Sequence, residues 1–154
     1  VTLMNEKVSV VGLGKLGLGL ALCYAASGIE TLGVDVNVDV VDAINSGKTP
    51  EQILATTDSL VTLIRQKVSN KVPVFFITPK PSIARWSLKS TYEDYIQKLQ
   101  AWAKTRPHVK VIDVWHPMLD EKGVVLQDVF VEDRLHMNKK GYDIWAKTIA
   151  PYLD

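Results

Sequence analysis

The sequence has 154 residues, 47% of them hydrophobic and 23% charged, with a formal net charge of +1. That length suits one domain able to remove about 70% of its unfolded surface from water, and the composition excludes a long disordered chain. The one compact basic run is Lys139-Lys140, which excludes the footprint of a nucleic-acid binder, and no run approaches the ~20 apolar residues of a membrane span or has signal-peptide form, so a soluble cytoplasmic protein is expected.

In chain order, Lys7 to Val11 is a short β-branched run ending in glycine and predicts a strand. Lys15 to Ser27 has apolar and small residues at helical spacing, with Cys23 among them as a buried thiol that has no disulfide partner. Ile29 to Val34 predicts a second strand ending at Asp35, and Val38, Val41 and Ile44 predict a helix stopped by Ser46-Gly47. Thr49-Pro50-Glu51-Gln52 starts another helix, with threonine as N-cap, proline at the first helical position and an acidic first turn, running to about Val68. A strand from Val72 to Ile77, a helix from Tyr92 to Lys104, a strand from Val109 to Val114 and a closing helix from Lys139 to Tyr152 complete the reading. Core packing is expected for Trp86, Trp102, Trp115 and Trp145, and surface or loop positions for His108 and His116. The alternation predicts an α/β fold, a Rossmann-like or flavodoxin-like layered sandwich whose parallel sheet has about four strands, in one domain over residues 1 to 154.

Gly12-Leu13-Gly14-Lys15-Leu16-Gly17 follows the first strand and opens a helix, and Asp35 ends the second strand. This is the spacing of a dinucleotide fingerprint. Gly12 permits the tight turn, Gly14 lets backbone approach a pyrophosphate, Gly17 lets helix and strand pack closely, and Asp35 would accept hydrogen bonds from ribose hydroxyls. The wider string from Val10, with Gly33-Val-Asp-Val-Asn and Ala43-Ile-Asn-Ser-Gly-Lys, resembles the NAD-binding N-terminus of the UDP-glucose/GDP-mannose dehydrogenases over about residues 7 to 48. Lys15 and Gly19 depart from that family's usual aromatic residue and proline. The resemblance implies a site for the adenosine half of NAD, whereas the family's catalytic cysteine, lysine and sugar-binding domain have no counterparts here. Dehydrogenase activity is therefore not expected, and NAD or another adenine nucleotide would bind weakly and is not required.

Near the other end, Asp133-Arg134-Leu135-His136 puts a carboxylate three residues before an imidazole at the start of a helix. A carboxylate so placed can fix the ring tautomer and stabilise the imidazolium formed in general-base catalysis. The string Phe130 to Tyr142 resembles the last block of SGNH/GDSL hydrolases, as do Gly47-Lys-Thr-Pro-Glu-Gln-Ile-Leu, Pro79-Lys-Pro-Ser-Ile-Ala-Arg-Trp and Val111-Ile-Asp-Val-Trp-His-Pro-Met-Leu-Asp, together covering about residues 47 to 154. The resemblance implies that Asp133 and His136 are a vestigial triad acid and base. It also implies that the nucleophilic serine falls on Gly14 and that the oxyanion-holding asparagine is replaced by the Asp35 carboxylate. Ser82 and Ser87 lie where that family does not place its nucleophile. No metal site is expected.

The sequence thus reads as a dehydrogenase-like segment over residues 7 to 48 joined to a hydrolase-like segment over 49 to 154, with the seam inside one domain. Natural fusions usually join whole domains, so an engineered or laboratory-selected recombinant is favoured, with no selected catalytic activity. The alternatives are a nucleotide-binding module and a residual esterase that uses Asp133 and His136 with another nucleophile. Strand order stays open: 1-2-3-4 would leave an apolar face and favour a homodimer, whereas 2-1-3-4 covers both faces and forms a crevice beside the glycine turn.

Overall fold

The computed structural model describes residues 7–11, 30–34, 37–67, 70–71 and 73–152, with side-chain environments from Val40 onward, Lys67 excepted. Gly12, Gly14, Gly17, Cys23, Asp35 and the helix expected between Lys15 and Ser27 lie outside the described residues.

Four strands, β1 (Lys7–Val11), β2 (Glu30–Val34), β3 (Val74–Ile77) and β4 (Val109–Ile112), form one parallel sheet in the order β2-β1-β3-β4. Of the two orders left open by the sequence, this is 2-1-3-4. β1 is central, in register with β2 from Lys7↔Glu30 to Val11↔Val34 and with β3 from Ser9↔Val74 to Val11↔Phe76.

The helices are α1 (Asn37–Asn45), α2 (Pro50–Lys67), α3 (Lys89–Lys104) and α4 (Lys139–Ile149). The crossovers from β2 to β3 and from β3 to β4 run the same way along the sheet, so the right-handed rule puts α1, α2 and α3 on one face. Strand periodicity then makes two cores. Val74 and Phe76 point into the first, with Ile44, Ile53, Ile96 and Leu99. Phe75 and Ile77 point into the second, with Ile112, Met118, Trp145 and Ile149. Trp115 and Trp145 are buried as expected, while Trp86 and Trp102 are only half-buried. Trp102 keeps its polar edge in use: Nε1 donates to Asp58 Oδ1 on α2 at 3.0 Å, and the Arg106 guanidinium lies 4.3 Å from its ring.

The seam between the two resemblances is closed locally. Gly47 N donates to Ile44 O and Lys48 N to Ala43 O, the paired bonds of a Schellman stop, with Gly47 at φ +81 where a side chain would be strained. Two residues later, Thr49 N donates to Gln52 Oε1 at 2.9 Å and Gln52 N donates back to Thr49 Oγ1 at 3.4 Å. That reciprocal pair is a capping box and starts α2 where the sequence placed it.

Other boundaries differ from the sequence reading for identifiable reasons. β3 starts at Val74, after Pro73, which has no N–H for the ladder. β4 stops at Ile112 rather than Val114, because Val114 N turns to the buried Thr78 hydroxyl at 3.0 Å. α3 begins at Lys89 rather than Tyr92: its buried stripe starts at Tyr92, but three polar residues form a first turn that apolar spacing does not mark. α4 ends at Ile149 rather than Tyr152, and a 3₁₀ turn over Ala150–Tyr152 accommodates Pro151. Among the described residues no helix is long and apolar enough to cross a membrane.

The first turn of α4 lies against the preceding loop at Gly141, where a Cβ would stand 2.7 Å from Val129 O and 2.8 Å from Met137 Cβ. Gly141→Ala gains up to about 1 kcal/mol of helix propensity but has to displace backbone, which costs about 1–3 kcal/mol. The expected net result is a lower urea midpoint at unchanged m-value.

Candidate functional site

The Asp133–His136 turn is the tip of a loop between α4 and the second core. Phe130 and Met137 pair as an isolated antiparallel bridge, and Val131 N donates to His136 O at 2.9 Å, so the loop is pinched at its base. Asn138 then caps α4: its Oδ1 accepts from Lys140 N and Gly141 N, and its Nδ2 donates back to Asp128 O and Phe130 O. The helix start expected from the sequence therefore also anchors the loop that carries the histidine.

Within the tip, Asp133 uses both carboxylate oxygens. Oδ1 accepts from Leu135 N and His136 N, each at 2.8 Å, and Oδ2 lies 2.5 Å from His136 Nδ1. A ring that donates from Nδ1 presents the lone pair of Nε2 as its basic atom. The ring hydrogen bond first, then the two amide bonds, hold the Asp133 carboxyl down to about 2. The side chains are 67% and 46% exposed, so solvent screens the pair and its contribution to stability is small. Arg134, between them, has φ +57, a left-handed conformation imposed by the turn.

A second turn repeats this arrangement at the carboxyl end of β4. Asp113 Oδ1 accepts from Trp115 N at 2.9 Å and His116 N at 3.2 Å, and Asp113 Oδ2 lies 2.6 Å from His116 Nδ1. His116 is exposed as expected, but the sequence reading missed its partner. The signal was present, since Asp113-Val114-Trp115-His116 has the same Asp-x-x-His spacing as Asp133 to His136. In both places a short acidic side chain takes the next two free amides and brings an imidazole three residues on within reach.

The two turns differ in what surrounds them. The Asp113 carboxylate also accepts from Gln100 Nε2 of α3 at 3.4 Å. The Asp133 turn is instead fastened to the segment after β3: Ala84 N donates to Arg134 O at 3.2 Å, and Lys80 Nζ donates to Leu135 O. Lys80 was not singled out from the sequence.

Among the described residues, no serine, threonine or cysteine side chain hydrogen-bonds to His136. Ser82 is buried and Ser87 is exposed on a 3₁₀ turn. No group of three or more histidine, cysteine, aspartate or glutamate side chains that could hold a metal ion occurs among the described residues. A groove of about 360 Å³ runs along the outer edge of β4, lined in part by Gln100, Lys104, Lys110 and Tyr152, and includes none of the sequence-predicted site residues.

In a comparison against protein families, the model of the GDSL-like Lipase/Acylhydrolase family matches residues 34–144. The chain belongs to that family. The match runs from the last residue of β2 into α4, and so includes both Asp-x-x-His turns.

Solved structures give the same fold. A Streptococcus pneumonia protein provisionally assigned as a platelet activating factor superposes with a TM-score of 0.71 at 12% identity, covering 100% of this chain and 86% of its own. A GDSL-like lipase from Bacteroides thetaiotaomicron gives 0.61 at 14% identity, with 97% and 87% covered. At such identities the likeness is one of fold.

The dehydrogenase resemblance is also found. The UDP-N-acetyl-D-mannosamine dehydrogenase of Campylobacter jejuni is 50% identical over 47 residues, which are 29% of this chain and 12% of that relative. The chain spans a similarly small part of the GDP-mannose 6-dehydrogenases that it matches. The likeness in fold to GDSL-type hydrolases thus runs along the chain, while a segment of it resembles sugar-nucleotide dehydrogenases.

The sign of the Asp133 shift sets a pH window. Its folded value of about 2 lies below the ordinary 3.8, so the pairing contributes fully above about pH 4 and is lost as pH falls through about 2. A ¹³C titration should find the Asp133 carboxyl near 2, and His136→Ala should move it upward by removing the largest stabilising contact.

Proposed function

We propose that the chain is a GDSL-type acylhydrolase scaffold that retains the acid–base pair and lacks the nucleophile, with no selected turnover. The observation that carries this reading is the Asp133–His136 pair itself, formed through Nδ1 and with no hydroxyl or thiol among the described residues hydrogen-bonded to the ring. The alignment implied by the hydrolase resemblance puts glycine at the nucleophile position, Gly14, and a carboxylate, Asp35, where an amide donor would steady the oxyanion. A carboxylate there repels developing negative charge rather than stabilising it. An imidazole beside a carboxylate then has a base but no oxygen to deprotonate and no hole to receive the product of attack.

The Asp113–His116 turn supports the same reading, because an Asp–His contact at 2.6 Å arises there from local turn chemistry. Formation of the pair is a property of the turn, and catalysis requires the missing partners as well. Recombination at the α1–α2 junction accounts for the double resemblance: the sugar-nucleotide dehydrogenase part supplies β1, β2 and α1, and the hydrolase part supplies α2 and the elements after it. Residual nucleotide binding at Gly12, Gly14, Gly17 and Asp35 belongs to this proposal as a weak adenosine half-site, since a full NAD site spans two βαβ halves.

Hydrolysis of p-nitrophenyl acetate tests the central claim. The native chain should show no saturation, and His136→Ala should lower its rate by no more than the contribution of one exposed imidazole. A saturable rate that His136→Ala abolishes would overturn it. Calorimetric titration addresses the half-site: NAD and AMP should give equal, weak binding, whereas NAD binding much tighter than AMP would indicate a complete dinucleotide site.

A further inference from the structure

We propose that Lys80 is the positioning residue of the Asp133–His136 pair, a cationic clasp from the β3 loop that fixes how the turn presents His136. The proposal rests on the reading that Asp133 and His136 are the acid and base of the site, but not on whether the chain turns over substrate.

The lysine is presented from an unusually stiff segment. Pro79 and Pro81 flank it, both buried, and each ring fixes its own φ while pushing the preceding residue toward extended backbone. Thr78, just before, is anchored at the sheet by Thr78 N→Ile112 O at 3.0 Å and by its hydroxyl, which accepts from Val114 N. The base of the Lys80 side chain is thus tied to β3 and β4 within two residues.

Its far end is held as firmly. Nζ donates to Leu135 O and lies 5.6 Å from the centre of the Phe130 ring, whose backbone forms the pinch at the base of the turn. Burial first, then the Arg85 charge, pushes the amine down to about 8, while Asp133 opposes this. The ammonium therefore points into the turn with its stem covered. The accepting carbonyl belongs to the Leu135–His136 peptide, so the hydrogen bond acts on the peptide unit that carries the imidazole. Ala84 N→Arg134 O, from the same loop, fixes the adjacent peptide. Two consecutive carbonyls of the tip are tied to the β3 loop.

The Asp113–His116 turn has the same internal bonds and, among the described residues, no lysine donating to its carbonyls, which makes it a control inside the same molecule. If the Asx-type turn alone sets the geometry, the two turns should respond alike to any change at Lys80. If Lys80 positions the second turn, only that turn should respond.

The test uses the full chain labelled with ¹⁵N and ¹³C. In Lys80→Met, amide exchange at Leu135 and His136 should speed up about tenfold, as loss of a charge-assisted bond implies. The His136 ring ¹⁵N shifts should move toward a tautomer mixture, while Trp115, His116 and the His116 ring stay as they were. Lys80→Arg, which keeps donors and charge, should restore most of the native pattern. Equal effects at both turns, or none at the Asp133 turn, would overturn the proposal.

A second measurement needs no variant. The Leu135 carbonyl ¹³C shift of the native chain should show a step with a midpoint of about 8, where the Lys80 amine loses its proton. Arg85 and Asp133 are the charged groups acting on the amine. A flat Leu135 carbonyl between pH 7 and 9 would count against the clasp.

Discussion

β1 is hydrogen-bonded along both edges, and the architecture follows from satisfying those two edges at once. On one side it pairs with β2, five residues against five, within the segment that resembles sugar-nucleotide dehydrogenases. On the other it pairs with β3, which belongs to the hydrolase-like remainder. A central strand with an unpaired edge would leave buried N–H and C=O groups without partners, each costing about 1–3 kcal/mol. Pairing with both neighbours removes that cost, and it places the carboxyl ends of β1 and β3 side by side at the switch point of the sheet. The glycine turn follows one of those ends, and the Lys80 segment follows the other.

Turn chemistry explains the rest of the candidate site. An aspartate that captures two following amides is a common local solution for a chain leaving a strand or approaching a helix, and here it occurs after β4 and before α4. Each instance brings an imidazole to the same carboxylate. An acid–base pair is therefore inexpensive for a polypeptide to form. Aligning the pair with a hydroxyl on another strand, and with donors on a third, is harder, because those groups lie on separate loops and depend on the whole sheet.

How much of this was legible in the sequence depends on the range of each interaction. The helix start at Thr49, the stop at Gly47 and the contact of Asp133 with His136 involve residues at most five apart, and the sequence reading placed all three, though not the return bond from Gln52 that completes the capping box. Strand order was left open because pairing is decided by backbone partners distant in sequence, and the patterns of β1 and β3 fit either arrangement. Lys80 escaped notice because its partner is a backbone carbonyl 55 residues away, which no spacing rule detects. Asp113 is a different case: its signal was local, and attention to His116 alone passed over the carboxylate three residues before it.

The seam at Gly47–Thr49 has a broader consequence. Residues 45 to 49 are exposed, and the helix ends on either side satisfy their own polar groups. The joint thus neither takes from nor gives to the two cores. Such a place tolerates cutting and lengthening, since an extra residue adds only slowly rising loop entropy. Parallel-sheet proteins that stop one helix and start the next by local means carry a natural exchange point, and pieces of different ancestry can be swapped there while the remote hydrogen-bonded tips of the loops keep their shape.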